Sequence, residues 1–242
     1  MLGGSSSSSS SKTPFFPSLS FLNIRGCPKL KGWWRNSDDD DDDEPHHLLL
    51  PSFPPSLLEL YIWGCPNLTS MPPFPYLKEM LLLCGCSWKL LEQTMKMGAA
   101  TTSTYFPLSQ LQQLHLSKMN EFESLLEEGL RNLVSLRELN IQSCDGLVFL
   151  PWIGSLTSLQ TLEIWGCHNL MSLPQEIRNL TSLKKLKISD CLLLGQKGED
   201  WSFIAHFPVV DVDFQNQQEE TISSGMHLLY LSFNPKFKIN YF

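Results

Sequence analysis

The chain is 242 residues long, 42% hydrophobic and 18% charged, and its 18 basic and 25 acidic residues leave a net charge of −7. That is enough chain and apolar content to bury the core of one domain or of two small ones, and the acidic balance argues against a basic nucleic-acid surface. Seven acids run together at Asp38–Glu44, and outside that run 18 acids balance 18 bases; 43 leucines against 10 isoleucines and 5 valines point to leucine at set positions of a repeat.

In chain order, residues 1–14 are a Ser-rich start, expected to be disordered, with no basic-then-apolar pattern of a secretory signal. No apolar run approaches the roughly 20 residues of a membrane span. The first copy of a repeat begins at Leu19, continuing through Leu22, Ile24, Cys27 and Leu30, and the second at Leu57, with Leu60, Ile62, Cys65 and Leu68. The 38 residues between those starts hold an insertion near 37–47 that carries the acid run; like charges repel and bury nothing, so a solvated loop is expected. EF-hand spacing with its central glycine is missing there, so no metal is expected.

The third copy admits two frames. Counting from Leu77, Met80 and Leu82 places Gly85 at the cysteine position, whereas aligning Ile62-Trp63-Gly64-Cys65 with Leu83-Cys84-Gly85-Cys86 moves the frame by one and turns every strand side chain over. A second interruption, expected as a loop near 92–105, separates this copy from the next at Leu111, with Leu114, Leu116 and Met119. The pattern is then plainest: Leu136-x-x-Leu139-x-Ile141-x-x-Cys144-x-x-Leu147 returns from Leu159 and from Leu183, with starts 23 and 24 residues apart. Phe207, Val210 and Val212 make a degenerate last copy, and residues 216–242 read as a tail or cap.

In Leu-x-x-Leu-x-Leu the last residues alternate in and out, giving a short strand with its leucines inward. The cysteine position then turns the chain inward, and a proline-led return such as Leu150-Pro151-Trp152-Ile153 brings it back. One copy cannot cover its own leucines, but a stack can. An α/β solenoid of about eight rungs over residues 15–215 is expected, with a parallel β-sheet on one face and an irregular, short-helical other side. The recurring cysteines then share one interior position, as buried free thiols of a cytoplasmic or nuclear protein rather than a disulfide framework.

These residues resemble the leucine-rich repeat family, whose solenoids curve into a horseshoe with the sheet on the concave face. The Ile-x-x-Cys-x-x-Leu-x-x-Leu-Pro form, the phrase Asn179–Leu183, the Ile-Trp-Gly-Cys endings and Gly198-Glu199-Asp200-Trp201 resemble the plant intracellular nucleotide-binding leucine-rich-repeat disease-resistance proteins. Full-length members carry a nucleotide-binding switch ahead of the repeats, and this chain contains no Gly-x-x-x-x-Gly-Lys-Ser/Thr. The resemblance therefore implies a protein-recognition module of the defence response, sensing a pathogen effector or guarded host protein, or restraining a switch domain that is absent from this chain. Two other readings are a substrate receptor of a ubiquitin ligase, which needs an adaptor motif that residues 1–15 do not supply, and a truncated remnant without activity.

No nucleophile elbow, His-Glu-x-x-His or Cys-x-x-Cys occurs, and no histidine stands at a catalytic spacing, so neither an enzyme nor a cofactor is expected. Specificity is expected instead from the outward strand positions. Arg25, Tyr61, Trp63, His115, Glu163, Trp165, Lys185 and Lys187 are the candidate protein-binding residues, since exposed Trp, Tyr and Arg anchor interfaces and the two lysines would make one end basic. Trp63 and Trp165 also fit a second role, covering neighbouring rungs.

Overall fold

The computed structural model describes residues 16–33, 53–72, 74, 76–100, 106–119, 130–195 and 202–212. The Ser-rich start, the acidic insertion and the tail after 215 lie outside the described residues. Each copy of the repeat supplies one strand: β1 (Phe21–Arg25), β2 (Glu59–Trp63), β3 (Met80–Cys84), β4 (Gln113–Ser117), β5 (Glu138–Gln142), β6 (Thr161–Trp165), β7 (Lys185–Ser189) and β8 (Val209–Val212). All eight join one open sheet in chain order, and every neighbouring pair is parallel. The result is a leucine-rich-repeat solenoid.

Alternation decides what each strand buries. Leu60, Leu81, Leu114, Leu139, Leu162 and Leu186 lie side by side in one inward row, and Ile62, Leu83, Leu116, Ile141, Ile164 and Ile188 in the next. All twelve are buried in a single core. Each such side chain is worth about 1.5–3 kcal/mol once removed from water, and a rung gets that only by lying against its neighbours.

The third copy follows the frame that aligns Cys65 with Cys86, and the frame counted from Leu77 is overturned. Leu81 and Leu83 point inward, while Met80, Leu82 and Cys84 register with the outward Glu59, Tyr61 and Trp63. The reason is one extra residue, Lys78, between the buried Leu77 and the strand. In regular rungs two successive N–H groups donate to one carbonyl of the preceding rung, as Arg137 and Glu138 do to Gln112. Beside β3 they use two carbonyls instead: Gln112 N–H donates to Lys78 and Gln113 N–H to Glu79, at 2.8 and 3.0 Å. The added residue is thus absorbed as a local bulge before the strand begins.

Beyond each of the first seven strands the chain turns through the left-handed region. Gly26, Gly64, Gly85 and Gly166 take φ of 60–64° there, and Lys118, Ser143 and Asp190 take 48–55°. The turn aims the next side chain back into the solenoid, and in six rungs that residue is a cysteine whose thiol donates to the last strand carbonyl, from Cys27 to Arg25 at 3.4 Å through to Cys191 to Ser189 at 3.5 Å. Met119 occupies the position in the β4 rung and is equally buried. All seven cysteines are free. Burial pushes the Cys86 and Cys191 thiols up to about 11, which disfavours the reactive thiolate.

A thiol-labelling prediction follows from that burial. Native protein treated with a disulfide exchange reagent is expected to react quickly at Cys27 and half-buried Cys84, with the other five thiols released only on unfolding. Fast native titration of all seven would contradict the ladder.

The return segments are short 3-10 turns, Ile153–Ser155, Gln175–Asn179 and Ser202–Ile204, each seating one buried isoleucine. The interruption after β3 differs from the expected loop: Lys89–Ala100 form a helix, α1, and only residues 101–105 of that stretch lie outside the described ones. Leu90, Leu91, Thr94 and Met95 make its buried stripe. The Ser87 hydroxyl accepts the Lys89 N–H at its start, and Lys96 pairs with Glu92 one turn away. The polar Thr94 disguises the stripe in sequence, but its buried hydroxyl is satisfied by the carbonyls of Leu90 (2.8 Å) and Met71 (3.3 Å). Among the described residues no helix is long and apolar enough to cross a membrane.

Candidate protein-binding face

The outward positions of the eight strands form one continuous face, three residues wide on most rungs. All eight candidate residues lie on it, in three groups rather than one. Arg25, Tyr61 and Trp63 cluster on β1 and β2, His115 stands alone on β4, and Glu163, Trp165, Lys185 and Lys187 share β6 and β7.

At the first end the aromatics are already engaged. The Arg25 guanidinium lies 5.4 Å from the Trp63 ring centroid and is held by Asn23 at 3.1 Å. The Trp63 indole N–H is buried and has no hydrogen-bond partner among the described residues. Tyr61 stacks edge-on against Phe21 with centroids 5.0 Å apart, and its hydroxyl donates to Glu59 at 2.7 Å. Burial and that carboxylate push the phenol well above its ordinary range, so it stays a neutral donor. Met80 and Leu82 continue this end as an apolar floor covered by their neighbours.

The middle of the face is polar and cross-linked between rungs. His115 Nε2 lies 3.3 Å from Glu138, and this hydrogen bond holds the Glu138 carboxyl below its usual range. Asn140 donates to Glu163 at 3.3 Å. At the other end Lys185 Nζ meets Glu163 at 2.6 Å and Lys187 Nζ meets Asp211 at 3.7 Å. The two lysines therefore do not make this end basic, because each has a carboxylate from an adjacent strand beside it.

Trp63 and Trp165 occupy equivalent positions and separate in role. Trp63 sits between Arg25 and Cys84 and is half-buried; Trp165 sits between Gln142 and Ser189 and remains 41% exposed. Glu138 is an outward strand position that was not among the candidate binding residues, and neither were Asp211, Met80 and Leu82. Glu138 and Asp211 were legible in principle, since a residue about one period away on the next rung is a contact partner: His115 and Glu138 are 23 residues apart, and Lys187 and Asp211 24. Met80 and Leu82 were hidden by the extra Lys78.

The comparisons with known proteins agree with this architecture. The family model described as R13L1/DRL21 LRRs matches residues 125–191. Three relatives from Arabidopsis thaliana align as well. Disease resistance protein RPP8 is 28% identical over 171 residues, 68% of this chain and 15% of its own length. Putative disease resistance RPP13-like protein 1 is 28% identical over 160 residues, 64% of this chain and 13% of its own. Protein SUPPRESSOR OF npr1-1, CONSTITUTIVE 1 is 36% identical over 76 residues, 31% of this chain and 5% of its own. The repeats are thus similar to those of Arabidopsis disease-resistance proteins over about two thirds of the chain. The chain spans 15% or less of the length of each of those relatives. A solved structure, the leucine-rich repeat domain of the type III effector XopL, superposes with a TM-score of 0.44 at 20% identity, over 80% of this chain and 76% of that one. Along the stack the inward strand rows repeat leucine and isoleucine, while most outward positions change from rung to rung.

Proposed function

We propose that this chain is a protein-recognition module of plant defence, working in the cytoplasm or nucleus, whose outward sheet face contacts a pathogen effector, a guarded host protein or the switch domain of its own receptor. The observation that carries the reading is Trp165: a tryptophan 41% exposed on the sheet face, with the Lys185–Glu163 pair on the strands beside it. Exposed tryptophan flanked by paired charges has the form of an interface anchor with a polar rim. No catalysis is assigned to the chain.

The test is affinity capture from leaf extract with the whole chain, comparing the native protein with Trp165→Ala/Lys187→Glu. The variant is expected to lose its specific partners at least tenfold by quantitative mass spectrometry, an alanine replacement of an anchoring tryptophan being worth about 2 kcal/mol or more. Its melting temperature is expected to move by no more than about 3 °C, since both side chains reach solvent. Unchanged partners at unchanged stability would overturn the assignment of this face. Recovery of ubiquitin-ligase adaptors as the specific partners would replace it with the substrate-receptor reading.

A further inference from the structure

The edge of the sheet where the strands begin carries charge of a different kind from its face. Along the edge where the strands begin, five residues from successive rungs form one hydrogen-bonded row: Lys78, two residues before β3, and Gln112, Arg137, Gln160 and Lys184, each immediately before its strand. Each carbonyl accepts the N–H of the next residue at 2.8 Å. The row therefore reads cation, amide, cation, amide, cation. At roughly 4.8 Å per rung the cations stand about 9.6 Å apart, on backbone held by the sheet itself.

These cations are unspent, in contrast to those of the face. Lys78, Arg137 and Lys184 are exposed, and none of them is in an ion pair among the described residues. Lys184 Nζ reaches only the amide oxygen of Gln160, at 3.5 Å. Of the nearest carboxylates along the chain, Glu138 pairs with His115, and Glu79, exposed beside Lys78, forms no ion pair among the described residues. Between Lys78 and Arg137 the edge opens into a cleft of about 330 Å³ whose lining includes Gln110, Gln112, Ser135 and Ser158 and no carboxylate. It is a hydrogen-bonding groove lined by two cations and no carboxylate.

We propose that this edge binds an acidic, extended segment of a protein partner, with one carboxylate for each of Lys78, Arg137 and Lys184. Two features favour a peptide over a small anion. Gln112 and Gln160 lie between the cations and offer both a donor and an acceptor, which a peptide bond satisfies and a phosphate, an acceptor only, does not. A polyproline II segment rises about 9.3 Å per three-residue turn, so an acid at every third residue meets every second rung on one side of the ligand. The proposal shares with the face reading only its partner class, a protein, and its test reads the edge alone.

The probe is a fluorescein-labelled peptide of four Glu-Pro-Pro units, titrated with the whole chain by fluorescence anisotropy at low salt, with a Gln-Pro-Pro peptide as the uncharged control. The acidic peptide is expected to bind at least tenfold more tightly than the control. Lys78→Gln/Arg137→Gln/Lys184→Gln is expected to weaken it about tenfold, since each exposed pair contributes modestly. Lys29→Gln/Lys31→Gln/Arg178→Gln, which removes the same charge elsewhere on the exposed surface, is expected to change it less than twofold. All six side chains are exposed, and a matching circular dichroism spectrum confirms that each variant is folded. No preference for the acidic peptide, or equal loss in both triple variants, would overturn the proposal. Competition by tripolyphosphate at a lower concentration than unlabelled peptide would also overturn it, by reassigning the groove to a small anion. Loss of the edge with Trp165→Ala/Lys187→Glu still losing its partners would leave the face reading standing, and the converse would leave the edge.

Discussion

Gly154→Ala is expected to be among the most destabilising small substitutions in the chain, at about 3 kcal/mol. Gly154 sits in the Ile153–Ser155 turn, and a Cβ there would lie 2.6 Å from Cβ and 2.7 Å from the backbone oxygen of Glu176 on the next rung. Backbone cannot rotate aside as a side chain can, so accommodating one methyl means separating two turns that the sheet holds one rung apart. Because Ile153 and Ile177 are anchored in the same core, that separation opens apolar contacts on both sides. For a domain of this size the loss corresponds to a fall of roughly 6–12 °C in melting temperature. Thr157→Ala, exposed a few residues on, is expected to stay within about 0.5 kcal/mol of the native protein. Differential scanning fluorimetry of the two variants decides the matter, and a shift below 1 °C for Gly154→Ala would mean that the rungs are not in close contact there.

The second large effect separates adjacent leucines of β3. Leu81 faces the interior and is completely buried, whereas Leu82 faces outward between Tyr61 and His115 and is covered only by side chains of the same face. Leu81→Gln loses the packing of a core leucine and strands an amide where nothing can pair with it, a combined cost of about 4–5 kcal/mol. Leu82→Gln loses only part of its contact, and its amide reaches water and the polar neighbours of the face, for about 1–2 kcal/mol. Urea denaturation should therefore rank the variants with Leu81→Gln far below Leu82→Gln. The opposite ranking is the outcome required by the frame counted from Leu77, so the experiment tests the bulge at Lys78 as well as the packing.

The same pair shows where sequence reasoning stopped. Around Leu159 and Leu183 the pattern is complete, each apolar position has one interpretation, and strand, turn and inward cysteine all follow from spacing. At β3 every residue from Met80 to Leu83 is apolar, so alternation, which needs a polar partner to be visible, carries no information. Hydrogen bonding resolves it: Gln112 and Gln113 donate to the Lys78 and Glu79 carbonyls, and β4 is set with Leu114 beside Leu81 and Leu116 beside Leu83. Helix α1 was obscured for a related reason: a threonine on its buried stripe breaks the apolar period, and the carbonyl of Met71 that satisfies it belongs to a distant part of the chain.

The candidate face divides in the same way. That Trp63 and Trp165 point outward is a consequence of their place in the repeat, but their exposure depends on which residues neighbouring rungs put beside them. Likewise Lys185 and Lys187 look like free charge in the sequence, and their neutralisation by Glu163 and Asp211 exists only once the strands are side by side. The cations without a carboxylate partner are found instead one or two residues before the strands, outside the repeat's apolar positions.

By itself, then, the sequence determined the architecture: the leucine period specifies which side chains are inward, inward leucines are stable only in a stack, and a stack of rungs of this length is a parallel-stranded solenoid. Tertiary structure alone decided which outward residues remain available to a partner. Burial in the core is set by a residue's own rung, whereas exposure and charge balance on the surface are set between rungs, by contacts about one repeat apart that composition and spacing do not evaluate.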